Sequence, residues 1–267
     1  MFLRFKTFIL LTLTCLLSVS IASAQATVTK KPTPTPTDLT KGASTAEQVA
    51  ESVIFLYGGF RGRENLNQIR KTTLERGTVT IVNSEGKDEK ANYERWIMRA
   101  DTLDKERIRL NQEYPSSRYA LIYKDDKIFG IYNDAIFTPR GDILNAFQNQ
   151  IWHGLEVLLR YKENGAALAL DGKEKIMGVE FYRLDVTDKQ NRKTRFYVST
   201  KTYRVMHLEY TEGGVKYMRK FYDYNYAQGT LVPFRSVLWA DDKQIEETEV
   251  ATVSFGLKIE ESIFQGS

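Results

Sequence analysis

Two histidines, His153 and His207, and one cysteine, Cys15, are the only residues of their kinds in 267. A histidine acts as a general base or a metal ligand only with partners in reach: a carboxylate, a second imidazole or a thiolate at ligand spacing. The sequence supplies no His-Glu-x-x-His, no paired zinc spacing and no Gly-x-Ser-x-Gly nucleophile turn. The acidic runs Asp241-Asp242 and Glu246-Glu247-Glu249 lack the alternating ligands, central glycine and closing glutamate of a calcium loop. They read as a charged turn and the solvated side of a strand. Gly58-Gly59-Phe60-Arg61-Gly62-Arg63 has the composition of a phosphate cradle, but such a loop opens a helix, and these glycines follow one. Lys189, Arg192, Lys193 and Arg195 surround a turn and read as solvated, and the aromatics Tyr217, Phe221, Tyr222, Tyr224 and Tyr226 suit a pleated strand. The expectation is no catalytic residue, no metal and no cofactor.

The N-terminus bears on where any chemistry could take place. Arg4 and Lys6 precede an apolar stretch over 8–21 and the small residues Ala22-Ser23-Ala24, the three-part layout of a secretory signal. Residues 1–24 are expected to be a cleaved signal, leaving Gln25 first and the protein in the periplasm. Cys15 lies inside that stretch, after Thr14 and before more apolar residues, so it is not expected to carry a lipid anchor. Taking Arg4 and Lys6 from 38 basic residues leaves 36 against 34 acidic ones, a net of +2 that gives no reason to expect nucleic acid. Residues 25–43, with Pro32-Thr33-Pro34-Thr35-Pro36, read as an extended, disordered linker. No later run approaches the ~18 apolar residues of a membrane-spanning helix, so the mature chain is expected to be soluble.

The folded domain is expected over 44–267. Ser44 with Glu47 makes a capping box, and Val49, Val53, Ile54 and Tyr57 follow at helical spacing. From Ile69 the period changes to two. Short alternating runs then recur between turn signals such as Lys124-Asp125-Asp126-Lys127, Glu212-Gly213-Gly214 and Gln228-Gly229. A second helix is expected over about 142–161, with Ile143, Phe147, Ile151, Leu155 and Leu158 on one stripe. The class is mainly β with α (α+β): about 11 antiparallel strands, too many to stay flat, so the sheet must curl into a sandwich, barrel or half-barrel. The two helices are expected on the concave face. They would cover it incompletely and leave a cavity.

The C-terminal half carries a familiar succession. Phe181-Tyr182-Arg183-Leu184-Asp185-Val186-Thr187 is followed by Arg195-Phe196-Tyr197-Val198-Ser199-Thr200-Lys201-Thr202-Tyr203-Arg204-Val205. Next come Phe221-Tyr222-Asp223-Tyr224, Leu231-Val232-Pro233-Phe234-Arg235 and Ile259-Glu260-Glu261-Ser262-Ile263-Phe264. Over roughly 179–264 this order of strand motifs resembles the outer-membrane lipoprotein-sorting (LolA-like) superfamily. The resemblance implies an unclosed β-barrel with helices across its hollow face and an apolar cavity that shields acyl chains. No motif around Arg95 or Arg99 matches the functional arginine of that family, and the Pro/Thr leader is a departure from its pattern.

The implied function is a periplasmic, non-enzymatic carrier of a lipid or of the acyl chain of a lipoprotein. A sensor or scaffold that binds an envelope protein partner is the alternative. A hydrolase would need a buried acid–base pair that the sequence does not advertise. An acyl chain gains about 0.8 kcal/mol per methylene removed from water, so apolar inward positions suffice to hold it. The candidates are Trp96, Met98, Ile108, Leu110, Leu121, Leu184, Val186 and Leu208 from strands, with Leu155 and Leu158 from the second helix.

Overall fold

The computed structural model describes residues 45–83 and 85–265. The chain divides into Met1–Asp38 and Leu39–Ser267, and the described residues all belong to the second unit. The expected signal, the Pro/Thr linker and Ser44 lie outside the described residues.

The first helix, α1 (Ala46–Gly58), is capped by Thr45 rather than Ser44. The Thr45 hydroxyl accepts from the Gln48 amide, and the Gln48 side chain accepts in return from the Thr45 amide. The capping box is therefore shifted by one residue from the expected Ser44–Glu47. At its other end the Gly58–Gly62 stretch turns the chain into an unforeseen short helix, α2 (Arg63–Ile69). The glycines end α1 as expected, with Gly59 as its C-cap, and they also lead straight into α2.

Among the described residues thirteen strands form one antiparallel sheet, two more than expected. Successive hairpins build β1 (Thr72–Val82), β2 (Asp88–Met98), β3 (Arg107–Glu113), β4 (Arg118–Lys124), β5 (Lys127–Tyr132) and β6 (Ala135–Phe137). The chain then crosses through α3 (Gly141–Trp152) and α4 (Leu155–Leu159) to the far edge, β7 (Ala167–Ile176). It returns through β8 (Val179–Thr187), β9 (Lys193–Ser199), β10 (Val205–Glu212), β11 (Val215–Ala227), β12 (Thr230–Ala240) and β13 (Lys243–Phe255), which pairs with β1. The two edges, β6 and β7, are not paired with each other, so the barrel is unclosed. The connection that would close it carries the helices instead.

Turn chemistry explains the order. The expected hairpin at Asp125-Asp126 forms, with φ of 51° and 58°, and Asp241-Asp242 makes the same left-handed pair at 44° and 65°. The acidic run at Asp241 is thus a turn. The strands missed from sequence are β6, only three residues long, and β7, whose Ala-Leu-Ala-Leu-Asp-Gly run has weak strand propensity.

The expected helix over 142–161 is broken in two. His153 ends α3, and Gly154 takes extended angles before α4. A Cβ on Gly154 would stand 2.9 Å from the Gln150 carbonyl oxygen, so this tight junction requires glycine.

Three apolar clusters hold the sheet. Val49, Val53 and Ile54 of α1 and Leu158 of α4 pack on Leu184, Val186, Phe196, Val198 and Leu208. Phe147 and Ile151 of α3 pack on Tyr93, Ile108, Leu110, Leu121 and Tyr123. On the opposite face, the C-terminal segment lays Ile263 and Phe264 against Ala120, Ile122, Trp96 and Met98. Buried tyrosines fix α1: Tyr57 donates to the Tyr224 hydroxyl at 2.8 Å, and Tyr224 donates to the Val205 carbonyl at 2.5 Å. Burial pushes the Tyr57 hydroxyl up to about 12, so it remains a donor.

Candidate functional site

The sheet's inner face changes character where α3 gives way to α4. Strand β2 turns Tyr93, Arg95 and Ile97 toward the helices, and Glu94, Trp96 and Met98 the other way. Register carries the pattern across the sheet: Thr73 lies opposite Ile97, Glu75 opposite Arg95, and Ile97 opposite Ile108. Several inner positions therefore bear charged side chains that cannot pack as aliphatic ones do. A cavity of about 220 Å³ remains between them and the helices.

Four arginines (Arg70, Arg95, Arg99, Arg219) and four glutamates (Glu75, Glu106, Glu156, Glu246) line it. The rest of its wall is largely apolar, including Ile97, Ile108, Phe147, Ile151, Leu155 and Phe221. Glu156, near the start of α4, accepts from Arg70 at 2.9 Å and from Arg99 at 2.5 Å. Burial opposes its charge, but Arg99 and Arg70 outweigh burial and hold its carboxyl down at about 2. Arg70 also donates to the Leu231 carbonyl at 2.8 Å, and Arg219 donates to Glu246 at 2.8 Å. Arg95 donates to Gln150 of α3.

Glu106, 2% exposed, is bonded to Arg160. Burial pushes its carboxyl up to about 7 against the pull of Arg99 and Arg160. Glu106 and Glu156 are thus driven apart in acidity, as acid–base pairs are. Both, however, are tied to arginines, which makes them members of an ion network. Among the described residues no cluster of His, Cys, Asp and Glu could hold a metal ion.

His153 sits at the helix junction. Its Nδ1 is 2.7 Å from the Thr194 hydroxyl, and its ring stacks on Tyr210 at 4.0 Å. His207 stacks on Tyr197 at 3.9 Å. Burial lowers both imidazoles to about 4. Of the basic hairpin residues, Arg192 pairs with Asp188 and covers Trp152, while Lys193 and Arg195 pair with Asp185. The aromatic run divides: Phe221 lines the cavity, Tyr224 locks α1 and Tyr226 is exposed.

Of the ten residues chosen from sequence, Ile108 and Leu155 reach the cavity wall. Leu158, Leu184, Val186 and Leu208 are fully buried in the core beneath α1, and Leu110 and Leu121 are packed under α3. Trp96 and Met98, chosen as inward-facing, lie on the other face beneath the C-terminal segment. Arg95 and Arg99, which alternate with Trp96 and Met98 along the chain, line the cavity, as does Glu246, read as solvated. The missed signal is long-range. Arg99 meets its carboxylate 57 residues later in the chain, which strand periodicity does not encode.

The architecture is an open antiparallel barrel whose gap is bridged by helices over a cavity. It is the fold of the LolA superfamily. A LolA superfamily protein from Nitrosomonas europaea superposes with a TM-score of 0.60 at 11% identity, over 84% of this chain and 98% of that one. A DUF1329 family protein from Desulfovibrio piger gives the same values. An outer membrane lipoprotein-sorting protein domain from Vibrio parahaemolyticus matches with a TM-score of 0.50 at 13% identity, over 82% and 97% of the two chains. No family model and no curated protein matches the sequence. Among the described residues no helix is long and apolar enough to cross a membrane.

Proposed function

We propose that this chain is a non-enzymatic binding or carrier protein for a lipid, a lipoprotein acyl chain or a similar amphiphile, exported to the periplasm by its leader. The observation that carries the reading is the cavity between the α3–α4 pair and the sheet, with apolar wall on one part and arginines on another. The fold shared with a lipoprotein-sorting domain supports it. Each methylene buried on the apolar wall contributes about 0.8 kcal/mol, so a modest length of chain provides useful affinity. At about 220 Å³ the cavity is smaller than the roughly 300 Å³ at which pockets for drug-sized ligands begin. A full acyl chain therefore requires α3 and α4 to shift outward or its tail to leave through the mouth.

The experiment is gentle purification from a bacterial envelope, solvent extraction and mass spectrometry, followed by titration with a fluorescent fatty acid. Co-purified lipid that the fluorescent probe displaces is the expected result. Protein free of lipid that also ignores the probe would overturn the proposal.

A further inference from the structure

Three guanidinium nitrogens and one hydroxyl of the cavity lining are buried without a hydrogen-bond partner among the described residues: Nε of Arg70, Arg95 and Arg99, and Oγ1 of Thr73. Arg70 is 6% exposed and Thr73 is 5% exposed. Thr73 lies opposite Ile97, so its hydroxyl falls on the strip between Arg95 and Arg99. An arginine nitrogen can only donate. A group that satisfies three such nitrogens together must be rich in acceptors.

Charge points the same way. One carboxylate, Glu156, serves both Arg70 and Arg99. Among the described residues the hydrogen-bond partner of Arg95 is the neutral Gln150 amide, while Glu75, directly opposite, accepts from Tyr93 at 2.8 Å. Glu246 is taken by Arg219, and Glu106 by Arg160. Guanidinium charge therefore exceeds its local carboxylate partners along this strip. Forked guanidinium donors match the paired oxygens of a carboxylate or phosphate.

We infer that Arg70, Thr73, Arg95 and Arg99 form a buried oxyanion subsite, and that the cavity takes amphiphiles carrying a carboxylate or phosphate head. This rests on the proposed lipid-binding function and narrows it. The acidic head occupies the arginine strip, and the chain lies on Ile108, Phe147 and Leu155. Neutral esters and cationic heads are discriminated against, because they leave the same donors unmatched.

Calorimetry of delipidated protein with four probes, below their micellar concentrations, tests this: laurate, dodecyl phosphate, methyl laurate and inorganic phosphate. The expected result is that laurate and dodecyl phosphate bind at least about tenfold tighter than methyl laurate. Arg95→Gln and Thr73→Val each shrink that ratio, and Arg95→Lys restores part of it. Equal affinity of laurate and methyl laurate for the unaltered protein overturns the oxyanion subsite and leaves the lipid proposal standing. Binding of inorganic phosphate without any of the chain-bearing probes supports the subsite and overturns the lipid proposal. Binding of none overturns both. The comparison in the unaltered protein decides the matter even where a variant does not fold.

Discussion

Beneath α1 and α4 the inner sheet face is carried by Leu184, Val186, Phe196, Val198 and Leu208, all 0% exposed. Beneath the α3–α4 junction the same face carries Thr73, Glu75, Arg95, Arg99, Arg219 and Glu246, and a cavity remains. Both regions lie on the inner face of the same sheet, and they differ in side-chain chemistry. Branched and aromatic residues interdigitate to crystal-like density. Arginines and glutamates must meet partners at fixed distances and angles, and they leave space where the partners do not fill it. One region fixes the fold, and the other is kept from collapsing by its own charges.

The comparison is broken most severely by unbalancing the charged region. Arg160→Met leaves Glu106 buried without its cation and is expected to cost about 3–5 kcal/mol in urea unfolding above pH 7. The loss should shrink at pH 5, because Glu106, already raised to about 7, then takes a proton. An equal loss at both pH values would contradict the role given to that pair. In the packed region, Leu184→Ala should cost about 3 kcal/mol, whereas Leu155→Ala, at the cavity wall and partly exposed, should cost about 1 kcal/mol. Similar costs at the two sites would remove the distinction between core and cavity.

Acid sharpens the comparison further. His153 and His207 take a proton near 6.5 when unfolded but only near 4 when folded, because burial opposes their charge. The unfolded chain therefore binds more protons between pH 6.5 and 4, and stability falls as pH is lowered through that window, by up to about 1.4 kcal/mol per pH unit for each histidine. Glu106 works in the opposite sense between about 7 and 4.5. Glu156, held at about 2, contributes stability above 4.5 that is lost as pH falls from 4.5 toward 2. Urea midpoints should therefore drop from pH 6.5 to pH 4, and a flat profile would contradict the burial of the two imidazoles. The smallest effect is expected at the edge of the packed region: Thr45→Ala removes the cap of α1 and should cost about 1 kcal/mol.

The packed region was the more legible in the sequence. Its strands carry apolar residues at every second position, Leu184 and Val186 in one and Phe196 and Val198 in the next, and the two-residue turn Gly213-Gly214 announces a hairpin. The charged region was not. In β2 both alternating sets are mixed, Tyr93-Arg95-Ile97 against Glu94-Trp96-Met98, so hydrophobicity does not say which set faces inward. The segment after β13 decides it, since Ile263 and Phe264 cover Trp96 and Met98. The break between α3 and α4 was hidden because the apolar stripe runs on through Ile151 and Leu155 on either side of it. Among the chosen residues, Ile108 and Leu155 line the cavity.

The most direct measurement is the affinity of a fluorescent fatty acid for the unaltered protein and for Ser236→Phe, which places a ring inside the cavity, with exposed Met177→Ser on the β7–β8 turn as control. Affinity should fall at least about tenfold in Ser236→Phe and stay unchanged in Met177→Ser. Unchanged affinity in Ser236→Phe would place the ligand elsewhere and contradict the account.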